Sequence, residues 1–112
     1  MFMERISLTA LAQRHLEAAR EEPSGRSSHT VYGGHERVLR QTLIALAAGR
    51  SLDEHENPGE ATLQVLLGRV SLTSLDASWE GSPGDHLVIP DARHGLEALE
   101  DCVVLLTVAK TR

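Results

Sequence analysis

The stretch GRSLDEHENPGEATLQVLLG, residues 49–68, decides how this chain folds, together with GDHLVIPDARH, residues 84–94. Each opens on a glycine, carries a histidine and a proline, and borders runs of leucine and valine. Glycine accepts the positive φ of a strand reversal, so Gly49, Gly68 and Gly84 mark turns. The rings of Pro58 and Pro90 fix φ at loop entries, where the missing N–H costs no ladder bond. Working outward from these turns, short β-branched or leucine-rich runs alternate with turn signals, which predicts strands at 29–32, 38–47, 62–67, 70–75, 78–79, 86–89, 96–98 and 102–109. Strands this short and closely spaced imply an antiparallel sandwich or small barrel. A doubly wound sheet needs crossover helices, and the sequence offers none after residue 23.

Before the strands the pattern is helical. Leu8, Leu11, Ala12, Leu16 and Ala19 recur at the spacing of one helix face, with Ser7 placed to cap and Pro23 to stop it, which predicts a helix from Ser7 to Glu22. His15 falls on that face and is expected to pack or hydrogen bond there. The segment PSGRSS, residues 23–28, reads as a polar linker. The expected organisation is therefore an N-terminal helix and linker, residues 1–28, followed by a β-barrel, residues 29–112: an all-β fold with one N-terminal α-helix.

Composition bounds the function. The 112 residues suffice for one hydrophobic core, and the formal charge is -5. Up to residue 50 there are seven bases and five acids; beyond it there are four and eleven. With one lysine, Lys110, and three aromatic residues, the chain lacks the cationic surface and stacking rings that nucleic acid or an anionic membrane would require. Cys102 is alone, so no intrachain disulfide can form, and residues 1–20 lack a signal-peptide core, so the cytoplasm is the expected location. Glu100 and Asp101 beside Cys102 would raise its pKa, which predicts a packed thiol rather than a nucleophile. No phosphate loop, nucleophile elbow or zinc-peptidase helix is present.

The order of glycines, histidines and prolines from Val38 to Ala109 resembles the cupin superfamily, in particular its small single-domain bacterial members. This resemblance implies a jelly-roll barrel with an open cup. In the first cupin motif a Gly is followed by two His, a Glu and a closing Gly; here the matching positions are Gly49, His55, Asn57, Ala61 and Gly68. In the second, Gly84-Asp85 leads to Pro90, Ala92 and His94, one residue shorter than the pattern and with Ala92 in place of its second Gly.

In the family these positions bind one divalent iron, manganese, nickel or zinc ion. His55 and His94 keep the ligand type, whereas Asn57 replaces a His and Ala61 replaces the Glu. An amide is a weak donor and alanine none, so the resemblance implies either no metal or one weakly bound ion. Asn57, Gln64 and Gln41 are the candidate ligand-binding amides of the cup wall; of Gln41 and its neighbour Thr42, one should point inward. The expectation is a protein that binds a small molecule in the cup as a sensor or accessory factor. The alternative is a metal-dependent oxygenase or isomerase using His55 and His94. A homodimer is expected from the resemblance, and because the apolar run Cys102 to Ala109 and the helix face both need cover.

Overall fold

The computed structural model of the chain describes residues 5–55, 59–75, 77–90 and 92–110, with the backbone alone at residues 54 and 55. The helix α1, Leu8–Glu21, forms where its apolar spacing predicts. Ser7 caps it, its side chain accepting from the Ala10 N–H at 3.1 Å, and Glu22 closes it in extended geometry. Leu11, Ala12, Leu16 and Ala19 make its buried face.

Nine strands follow among the described residues: β1 (Arg26–Tyr32), β2 (Leu39–Leu46), β3 (Ser51–His55), β4 (Gly59–Leu67), β5 (Val70–Ser74), β6 (Ala77–Gly81), β7 (His86–Val88), β8 (His94–Ala98) and β9 (Cys102–Lys110). They form two antiparallel sheets, a five-stranded one in the order β1-β2-β9-β4-β7 and a four-stranded one in the order β3-β8-β5-β6. Two differences from the sequence reading concern edge strands. The first strand starts at Arg26, inside the expected linker, because Arg26 to Ser28 pair with Leu46 to Ile44 although they bring no apolar alternation of their own. β3 was not anticipated as a strand, since Leu52 is its only apolar residue.

Sheet alternation divides the apolar residues into two cores. The barrel interior gathers Ile44, Leu46, Ala61, Leu63, Val65, Cys102 and Val104 from the large sheet against Val70, Leu72, Leu96 and Ala98 from the small one. The intervening residues of the large sheet, Leu43, Ala45, Val103 and Leu105, face outward and are covered by α1. The expectation that β9 and the helix face need a partner chain for cover is thereby corrected: each covers the other. Cys102 is fully buried, and desolvation first, with the Asp101 charge adding to it, pushes its thiol up to about 11.

The helix is also tied at its far end. Arg20 Nε donates to Asp101 Oδ2 at 2.7 Å, while Asp101 Oδ1 accepts from the Ala48 N–H at 2.8 Å. These bonds hold the Asp101 carboxyl below its usual range. Gly68 turns β4 into β5 with φ +74°, and a Cβ there would run into the Asp101 carbonyl, so both conformation and space require glycine.

Candidate functional site: the inner row of the small sheet

The small sheet presents one face to the barrel interior. On β8 the alternation places His94, Leu96 and Ala98 inward and Glu97 outward. On β5 it places Val70, Leu72 and Ser74 inward. The ladders set His94 opposite Ser74 on one side and opposite His55 on the other, so three residues of one row span β3, β8 and β5. A register shift between Leu52 and His55 is what brings position 55 into that row.

His94 and Ser74 are the buried polar side chains among the described residues, 4% exposed each. The Ser74 hydroxyl donates to the Arg93 carbonyl at 2.8 Å. His94 Nδ1 lies 3.0 Å from the Ala92 carbonyl, which can only accept, so Nδ1 carries a proton and donates there. Both side chains are thus fixed by the backbone of the 92–93 segment. Shortening the turn before His94 has not rotated it outward.

Ala61, at the position of the missing carboxylate, lies on the inner face of β4 at 6% exposure. Its methyl group offers no donor. Among the described residues no three His, Cys, Asp or Glu side chains gather closely enough to hold an ion. The described residues therefore do not make the donor set of the family motif. Asn57 lies outside the described residues, as does the side chain of His55.

The two remaining amides are carried away from the cup. Gln41 shares its face with Leu43 and Ala45, the side under the helix, and its Nε2 donates to Thr107 Oγ1 at 3.2 Å. Thr42 takes the inward parity instead, in step with Ile44. Gln64 is exposed on the outer face of β4 between the inward Leu63 and Val65, level with the exposed His86 of β7. Ser74 is the residue that the sequence reading missed. Its signal was there: it continues the inward parity of Val70 and Leu72.

Of the other histidines, His35 is exposed in the turn after β1. His15 Nδ1 lies 2.7 Å from Ser27 Oγ, and its ring centroid is 5.5 Å from that of the exposed His29. Desolvation first, then the His29 and Arg14 charges, lower the pKa of His15. Among the described residues no helix is long and apolar enough to cross a membrane.

No protein-family model matches the sequence, and no curated protein does. Solved structures do match. An RmlC-like cupin protein from Desulfovibrio desulfuricans is 27% identical over 96% of this chain and 97% of its own, with a TM-score of 0.75. A cupin superfamily protein from Desulfitobacterium hafniense is 20% identical over 98% and 94%, with a TM-score of 0.77. The DMSP lyase DddQ from Ruegeria pomeroyi is 17% identical, with a TM-score of 0.67 over 77% of this chain and 47% of its own. Two antiparallel sheets closed around one apolar interior, the inward histidine of the second motif and these likenesses identify the fold of the chain as the cupin jelly-roll barrel.

Proposed function

We propose that this chain binds a small molecule in the barrel cup and serves as a sensor or accessory protein, with a reduced or absent metal site. The observation that carries the reading is the pairing of His94 and Ser74 on a largely apolar inner face, combined with a methyl group at Ala61. An imidazole and a hydroxyl on apolar walls suit a small, mostly apolar molecule with one oxygen or nitrogen at its end. In this reading His55 and Asn57 complete the polar end, and the protein works as a cytoplasmic homodimer.

Elemental analysis of protein purified without chelator tests the reading, alongside a thermal-shift screen of small ketones, alcohols and carboxylic acids. Well under one equivalent of transition metal is expected, with a ligand that raises the midpoint of the native protein and not of His94→Ala. One full equivalent of a single metal, lost in His94→Ala, would overturn it in favour of a metal-dependent enzyme. The ladder that sets His55 opposite His94 is the observation favouring that second reading.

A further inference from the structure

The ladder between β3 and β8 has two ends. One carries the histidine row; at the other, Ser51 pairs with Glu97 and the chain enters β3 from the turn Ala47–Arg50. Here a cleft of about 380 Å³ opens between the start of β1 and the start of β3, lined by Ser24, Arg26, Leu46, Gly49, Arg50 and Ser51. We propose that this cleft is a second binding site, independent of the cup, which takes the phosphate group of a small phosphorylated molecule between Arg26 and Arg50.

Charge supplies the first argument. In a chain with more acids than bases, this cleft has two arginines in its lining and no carboxylate. The ion pairs among the described residues join Arg20 to Asp101, Arg37 to Glu36, and Arg69 to Glu80 and Glu100; neither Arg26 nor Arg50 takes part in one. Two arginines in the lining of one cleft bring like charges to it with no carboxylate among the lining residues to offset them, and a bound anion would supply that offset.

Fixation supplies the second. Arg50 is held by its backbone, its N–H donating to Ala47 O at 3.0 Å and its carbonyl accepting from Ala98 N–H at 2.8 Å. Its Nη2 donates to Pro23 O at 3.2 Å, so the guanidinium is moored to the turn between α1 and β1. The stem of Arg50 crosses Gly25, where a Cβ would stand 2.6 Å from both Cγ and Nε. Gly25 has φ +69°, and its backbone is bonded on both sides, to Glu22 O and to the Ala47 N–H. Such a pre-positioned fork has donors left after its bond to Pro23, the condition for bidentate recognition of an oxyanion. Arg26 reaches the cleft from the first position of β1, opposite Leu46.

The shape of the cleft favours phosphate over carboxylate. Two forks and the Ser51 hydroxyl can serve three oxygens, one more than a carboxylate has. Gly49 leaves open space where a side chain would stand, and the cleft holds more than one bare phosphate, so a short carbon skeleton has room beside Gly49. A phosphorylated effector here would touch the first residues of both β1 and β3, the edge strands of the two sheets.

Titration calorimetry of the full chain at low ionic strength tests the site with inorganic phosphate, glycerol phosphate and acetate. Saturable binding of both phosphate compounds and none of acetate is expected. Arg26→Gln should weaken phosphate at least about tenfold, as should Arg50→Lys, which keeps the charge and loses the fork. Arg37→Gln should stay within about twofold. If Arg50→Lys fails to fold, Arg26→Gln still decides, since its side chain makes no hydrogen bond or ion pair within the described structure. Absence of saturation by phosphate overturns the proposal, as do equal losses in Arg26→Gln and Arg37→Gln, and so does loss of phosphate binding in His94→Ala, which would place the anion in the cup.

Discussion

Replacing Leu16 by alanine tests whether helix and barrel form one cooperative unit. Leu16 is 9% exposed and belongs to the core that includes the fully buried Leu43, Ala45 and Val103. Leucine-to-alanine changes in such places cost about 2 to 5 kcal/mol, through lost transfer energy and the cavity left behind. Leu16 sits at the rim of its core, where neighbours can close in, so about 2.5 kcal/mol is the expected loss. With about 2.1 cal/mol/K of unfolding entropy per residue and 112 residues, that loss lowers the melting temperature by about 10 °C. The assay is thermal unfolding followed at once by far-ultraviolet circular dichroism and by Trp79 fluorescence. Both probes should move together in a single transition. A shift below about 2 °C, or a helical signal lost ahead of the fluorescence change, would refute the two-core account and make residues 1–28 a separate appendage.

Three further outcomes follow from the same packing. Gly68→Ala should cost about 3 kcal/mol or more in urea unfolding, because its φ is positive and the Asp101 carbonyl occupies the space of the new methyl. The Cys102 thiol should resist alkylation in the native state and react on unfolding; with a pKa raised from 9.0 to about 11, it should also make stability fall as the pH climbs between those values, because only the unfolded chain ionises. His15 has the opposite sign: its folded pKa lies below 6.5, so the unfolded state takes up the proton first and stability drops as the pH falls below that value. In His15→Gln that acid dependence should flatten.

The sequence announced the barrel through punctuation more than through strand character. Gly49 and Gly68 stand at positive φ, as their place in the turns requires, and so does Gly84. What was harder to see follows from burial. In Leu43-Ile44-Ala45-Leu46 every residue is buried, because one face meets the barrel interior and the other meets α1. That erases the alternation which would have told Gln41 from Thr42. In β4 the alternation survives, and Ala61, Leu63 and Val65 already consign Gln64 to the outside. β1 and β3 lie at sheet edges and carry mostly polar side chains, so they have little hydrophobic pattern to read; their pairing is set by the neighbouring strand. His94 was legible as a candidate from its motif, but its orientation was not, because a one-residue change in a turn can reverse every side chain after it.

The place of β9 has a consequence for how the chain acquires its structure. The last strand in sequence is the middle strand of the large sheet, bonded to β2 on one side and β4 on the other. Until residues 102–110 are available, β2 and β4 cannot be joined, and the apolar faces around Leu43 and Leu63 stay open to water and to other chains. Folding of this sheet therefore waits for residues 102–110, and its closure from distant parts of the chain should set its rate. A nonsense change even a few residues before Cys102 should therefore yield insoluble material instead of a slightly weaker barrel.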